Sequence, residues 1–166
     1  STFVEHLMMA TVILRIPKSV EGAVVECGTY NGVSAANLSL VCALCDRTLE
    51  IFDSFQGLPS PSEEDKAHTL LWTKEIHTYN KGSYRSSLDL VRDNISRYGR
   101  LDVCRFHPGF FDETLPRFNQ KCAFLWFDVD LRASLETCMK YLWPLLQDSC
   151  HLFTHEAAHS EISSLF

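Results

Sequence analysis

The chain has 166 residues, 46% of them hydrophobic and 22% charged, with a formal net charge of −6. That composition suits one globular core and excludes a disordered chain. It also excludes a basic nucleic-acid footprint, because lysine and arginine are scattered and gather on no predicted helix face. The longest apolar stretches, such as residues 7–14, fall short of the roughly 20 residues a spanning helix needs, so no membrane segment is expected.

Cysteine usage bears on the compartment. Of Cys27, Cys42, Cys45, Cys104, Cys122, Cys138 and Cys150, only Cys42 and Cys45 form a CxxC pair, with no second pair at zinc spacing. Most of the others sit inside apolar runs, where free cysteine acts as a small hydrophobe. Reduced thiols and a cytoplasmic protein are therefore expected. The start carries acidic Glu5 and no basic region or small-residue cleavage site, so it does not read as a signal peptide. It opens on Ser1 rather than Met, as an excised fragment would.

No repeat, low-complexity tract or long linker divides residues 1–166, and a single domain is expected. Phe3, Leu7, Ala10 and Leu14 recur at helical spacing, predicting a leading helix that ends near Pro17 and offers a face on which a second copy could pack. Residues 23–27 form a short apolar strand that runs straight into Gly28. A helix follows from Ser34 to about Cys45, then a second strand over 49–53 and a loop over 57–61. Residues 62–81 read as a mobile lid with a short helix around Leu70, Leu71 and Trp72. Ser83 is placed as the cap of a helix carrying Leu88, Val91 and Ile95. Residues 101–106 alternate as a third strand, 123–127 form a fourth, 131–146 a helix, and 151–154 a fifth strand. Strands alternating with helices predict an α/β fold, a doubly wound and mostly parallel sheet with helices on both faces.

The first strand and its turn carry the sharpest chemical signal. Gly28 lets the chain bend, Gly32 lets the next helix pack close, and the amides of Thr29, Tyr30 and Asn31 between them face a ligand at the helix N-terminus. A dinucleotide site asks for GxGxxG, whereas this turn is GxxxG with Glu26 two residues ahead. Glu26 can attract a cationic amino or sulfonium group while the amides hold a carboxylate; a tight bend with an incidental acid is the plainer reading. Asp53 closes the second strand about 20 residues on, where a ribose diol is held in such folds, or where an aspartate caps a loop. Glu50, on the same strand, is expected to face solvent. His107 is expected to be structural. Phe110 can stack on an adenine or join Phe111 in the core. The fourth strand ends in Asp128-Val129-Asp130, acids at the crevice where open sheets bind ligands, and the fifth in Thr154, His155 and Glu156; of these, Asp128, His155 and Glu156 are the candidate cation ligands. Together they could bind a divalent cation at the strand ends, with His155 tilting the choice from magnesium toward manganese. Alternatively, Asp128 caps the next helix and the other two are surface loop.

Four blocks in order make the chain resemble the macrocin O-methyltransferase (TylF-like) family of class I S-adenosylmethionine-dependent methyltransferases. They are residues 25–34 (VECGTYNGVS), 52–59 (FDSFQGLP), 109–116 (GFFDETLP) and 127–131 (FDVDL), and the resemblance runs from about Gly22 to Glu156. It implies that the glycine turn and Ser34 hold the methionine part, Asp53 and Ser54 the ribose, and Gly109 and Phe110 the adenine. It implies that Asp128 is catalytic, ligating a metal that orients a small-molecule hydroxyl acceptor, a sugar or other natural product. Where the family shows a glycine pair and then two aspartates, this chain has Asp148-Ser149 and His155-Glu156. The antiparallel hairpin that closes the family's sheet is missing or abbreviated before Phe166. A metal-assisted O-methyltransferase is therefore expected. The alternative is a non-catalytic S-adenosylmethionine-binding domain without metal or turnover; a nicotinamide oxidoreductase is disfavoured by the absent GxGxxG.

Overall fold

The computed structural model describes residues 1–163. Its strands, in chain order, are β1 (Ala23–Cys27), β2 (Leu49–Asp53), β3 (Ala67–Thr69), β4 (Ile76–Thr78), β5 (Cys104–Pro108), β6 (Cys122–Phe127) and β7 (Leu146–Thr154). Five of them form one sheet in the order β5-β2-β1-β6-β7, with every neighbouring pair parallel. The chain winds outward from β1 through β2 to β5, then returns to β6 on the other side of β1. The carboxyl ends of β1 and β6 thus flank the point where the winding reverses, which is where open α/β sheets bind ligands.

The expected α/β fold is present, with helices on both faces. β1 and β6 are buried at every residue, as continuous apolar runs in a doubly covered sheet must be. Alternation sends Val24, Phe124 and Trp126 to one face, against Met9 and Ile13 of α1 (Phe3–Arg15) and the helices α2 (Val33–Leu44) and α3 (Leu88–Tyr98). Val25, Cys27, Leu125 and Phe127 point the other way, against Leu115 just past α4 (Phe111–Thr114) and Leu135 of α5 (Arg132–Leu142). Fully burying each large apolar side chain contributes about 1.5–3 kcal/mol.

Several elements differ from the sequence reading, each for a physical reason. α1 buries His6, Met9 and Ile13, and leaves Phe3, Leu7 and Leu14 exposed; two apolar stripes share this helix, and periodicity cannot choose between them. Within residues 62–81 the expected short helix is instead an antiparallel hairpin, β3 with β4, placing His68 opposite His77. Distant partners hold it: Leu70 bridges His159, and the Thr69 amide donates to Glu161 Oε2 at 2.8 Å. The cap of α3 is Ser87, whose hydroxyl accepts from the Leu90 amide; Ser83 sits in a turn bonded to Leu58. Residues 101–103 form a 3-10 turn, so β5 starts at Cys104. α5 stops at Leu142 because Pro144 lacks a donor to continue it, and β7 then begins at Leu146, five residues earlier than expected. Its register against β6 shifts, and Ser149 has φ 62°.

Two further corrections concern acids. Glu50 does not face solvent: it is buried and bonded to His107 Nε2 at 2.7 Å. Asp128 does not cap α5. Asp65, from the lid segment, accepts from the Arg132 and Ala133 amides at 2.7 and 3.3 Å. Beyond β7 the described residues form a 3-10 turn over Glu156–Ala158, and none of them pairs with the outer edge of β7.

Candidate functional site

The turn after β1 is pinned from both sides. The Gly28 amide donates to Phe52 O and the Asp128 amide to Cys27 O, each at 2.9 Å. Gly28 has φ 82°, and a Cβ there would lie 2.0 Å from the Asp128 carbonyl oxygen, so no other residue allows this approach. Gly32, at φ 80°, is the N-cap of α2 and supplies no side-chain cap to the helix's first amides.

Asp53 organises the turn. Its Oδ2 accepts from the Thr29 and Tyr30 amides at 2.8 and 3.3 Å, and its Oδ1 from Phe55 at 2.7 Å. Ser54 closes the following loop by donating to Gly57 O, and Asn94 ties the turn to α3 by donating to Asn31 O, both at 2.8 Å. Glu26 lies fully buried beneath the turn. The Ser34 hydroxyl donates to its Oε1, while its Oε2 has no partner. Burial lifts its pKa to about 8, with the Ser34 bond opposing and the charges of Asp128 and Asp53 adding.

These segments open on a cleft of ≈ 880 Å³ at the carboxyl edge of the sheet. Of the predicted site residues, Gly28, Thr29, Tyr30, Asn31, Ser34, Asp53, Ser54, Gly109, Phe110, Asp128 and His155 line it. Glu26, Gly32 and Glu156 do not: the first reaches the lining through Ser34, and Gly32 packs against Val91 behind it. Glu156 is a buried strut. Its Oε1 accepts from the Val129 and Asp130 amides at 2.7 and 2.9 Å, and its Oε2 from the Thr154 hydroxyl.

Two of the three expected metal ligands are therefore otherwise engaged, since His155 Nδ1 also pairs with Glu5 Oε1 at 2.8 Å. Among the described residues no group of three or more His, Cys, Asp or Glu side chains is arranged to hold a metal ion.

The cleft also holds residues beyond the predicted cofactor and metal set. Asp130, held at φ 62°, lines it. Burial, then the nearby Glu156 and Asp128 carboxylates, raise its pKa to about 7. Its signal was present in the second acid of the Asp128-Val129-Asp130 strand end. Leu70, His77, Tyr79 and His159 come from the lid hairpin and the C-terminal turn, and Tyr84 packs edge-on against Tyr30 at 5.8 Å. No spacing in the sequence marks these.

A family profile described as macrocin-O-methyltransferase (TylF) matches residues 5–157. The mycinamicin III 3''-O-methyltransferase of Micromonospora griseorubida is 31% identical over 154 residues, covering 84% of this chain and 60% of that protein. An 8-demethyl-8-(2,3-dimethoxy-alpha-L-rhamnosyl)-tetracenomycin-C 4'-O-methyltransferase of Streptomyces olivaceus is 33% identical over 132 residues, covering 76% and 49%. Among solved structures, the O-methyltransferase NovP aligns with a TM-score of 0.74 at 24% identity, covering 90% of this chain and 63% of its own. The calicheamicin methyltransferase CalS11 aligns at 0.75 and 17%, covering 96% and 66%. These likenesses agree with the fold, and the chain spans about half to three-fifths of the curated relatives' length.

Proposed function

Because the chain belongs to the macrocin O-methyltransferase (TylF) family, we propose that residues 1–166 act as one domain that transfers a methyl group from S-adenosylmethionine to a small-molecule hydroxyl, on a sugar or related natural product. The observation that carries this reading is the single cleft shared by the Gly28–Asn31 turn, Asp53, Gly109, Phe110 and Asp130. Its ≈ 880 Å³ is room for a nucleoside and an acceptor together.

When bound, S-adenosylmethionine supplies an electrophilic methyl on sulfur. Residues of this chain do the rest. The α2 N-terminus offers uncapped amides to a carboxylate. Glu26, with a free oxygen beneath Ser34, suits the neighbouring ammonium. Asp53 stands at the ribose position and Phe110 beside the adenine. Asp130 takes the hydroxyl proton as the O–CH₃ bond forms and the S–CH₃ bond breaks; a base with a pKa near 7 is matched to that work. Holding the two partners aligned supplies most of the acceleration, as expected for an in-line displacement.

A divalent cation does not fit these residues as they stand, since Glu156 is buried and bonded to three donors and His155 is bonded to Glu5. The same observation favours a second reading, a domain that binds S-adenosylmethionine without turning it over. The seven free cysteines support a cytoplasmic setting, and none of the described helices is long and apolar enough to cross a membrane.

Calorimetry with S-adenosylhomocysteine tests the shared part. Asp53→Asn and Phe110→Ala are each expected to weaken binding about tenfold or more, or roughly 1.4 kcal/mol. Unchanged affinity in both variants overturns the assignment. Methylation of a glycoside acceptor then separates turnover from binding alone.

A further inference from the structure

The segment between Leu58 and Ser83 leaves the body of the fold and returns to it at one place. The Leu58 amide donates to Ser83 O and the Gly82 amide to Leu58 O, each at 2.9 Å, which closes its stem. Beyond the stem it carries the β3–β4 hairpin and delivers Leu70, His77 and Tyr79 to the cleft. A two-stranded ribbon with three residues per strand is marginal in water and cannot fix its own position. Anchors outside the hairpin do so. At one end the Leu71 amide donates to Ala158 O at 2.8 Å, and the Ser160 amide to Thr69 O at 2.9 Å. At the other stands Asp65, only 2% exposed. Its Oδ1 accepts from the Arg132 amide at 2.7 Å and pairs with His68 Nε2 at 3.1 Å. Its Oδ2 accepts from the Ala133 amide and the Ser62 hydroxyl, both at 3.3 Å.

A buried carboxylate requires such donors, and here they join two separate bodies. Arg132 and Ala133 open α5, immediately past Asp130, while His68 is the fully buried centre of β3. The His68 ring lies against Tyr79 and His159, with centroids 5.1 and 5.4 Å away, and both of those residues line the cleft. Contact therefore runs unbroken from α5 through Asp65 and His68 to the cleft wall. The Asp130 amide is held independently, by Glu156 Oε1 at 2.9 Å. We propose, on the basis of the methyltransferase reading, that Asp65 is a positioning residue for the acceptor: by clasping the hairpin to the start of α5 it fixes how far the Leu70, His77 and Tyr79 wall stands from Asp130. Gly28, Thr29, Asp53 and Phe110 belong to other elements, so releasing the clasp loosens the acceptor half of the cleft and leaves the cofactor half formed.

The test compares Asp65→Ala, Asp65→Asn and wild type, each saturated with S-adenosylhomocysteine. The Asn carbonyl can keep the Arg132 and His68 bonds; Ala keeps none. Hydrogen exchange read by mass spectrometry should accelerate on the order of tenfold over residues 67–79 in Asp65→Ala, stay unchanged in β1 and β6, and remain near wild type in Asp65→Asn. Phenyl glucoside, titrated by saturation-transfer NMR, should bind about tenfold more weakly to the Ala variant alone, with S-adenosylhomocysteine affinity within about twofold throughout. His68→Leu cuts the hairpin from the clasp while leaving α5 capped; it should reproduce the Ala pattern, and it decides the matter if Asp65→Ala does not fold. Exchange that accelerates equally across the whole sheet, equal loss in Asn and Ala, or phenyl glucoside binding that is unchanged in the Ala variant or absent in wild type overturns the proposal. Failure of the wild type to bind S-adenosylhomocysteine would overturn the methyltransferase reading instead, and this inference with it.

Discussion

Replacing Glu26 by Gln isolates what a buried acid contributes to cofactor capture. In the empty protein its pKa is about 8, so its ionisation costs roughly 5 kcal/mol more than in the unfolded chain, at about 1.4 kcal/mol per pH unit. The unfolded chain therefore releases this proton first. Stability of the empty protein should fall as pH rises from the ordinary carboxyl range through about 8, and the slope should flatten in Glu26→Gln. At pH 7 about 0.9 of the side chains hold the proton. An incoming ammonium beside the free Oε2 would favour the ionised form, so binding should expel up to about 0.9 proton per site. Calorimetry of S-adenosylmethionine binding in phosphate and in Tris measures this directly, since the two buffers absorb a proton with different heats. The Gln variant should bind with no such difference and more weakly. Equal buffer dependence in both proteins, or none in the wild type, would refute the role given to Glu26.

Two other outcomes follow from the same geometry. Gly28→Ala drives a Cβ into the Asp128 carbonyl, whereas Gly82, at a similar φ of 81°, has nothing within 4 Å; the first should cost about 3 kcal/mol or more and the second about 1 kcal/mol. Equal urea midpoints for the two variants would contradict the close approach of β1 and β6. For Asp130, the base must be deprotonated to work, so kcat/KM should rise with pH through about 7. Asp130→Asn should remove that limb and lower the rate by about 10²–10⁴-fold; a surviving limb places the base elsewhere.

The central sheet was legible because each of its inner strands is a run of apolar residues bounded by a turn. Residues 23–27 and 123–127 could hardly be anything else once covered on both faces. The glycine turn and the position of Asp53 beside it were legible for a related reason: their geometry is local, carried by backbone freedom and by one acid at a strand end. What failed was whatever depends on distant partners. The β3–β4 hairpin has only three residues per strand and exists because Glu161 and His159, some 90 positions later, hold it. Asp65 as the cap of α5 is another such case, 67 residues from Arg132. Glu50 was misplaced because alternation gives a period but not what a buried acid might find, here the ring of His107 across the sheet.

The strut at Glu156 has a bearing on protein engineering. Its side chain ties the end of β7 to the backbone of Val129 and Asp130, so it sets where the proposed base Asp130 stands without lining the cleft itself. Installing a cation centre by restoring aspartates at 155 and 156 would shorten that reach and strip two backbone amides of their acceptor. A successful redesign must supply a replacement for those amides along with the new donors. In this chain, rigidity of the base and affinity for metal compete for one carboxylate.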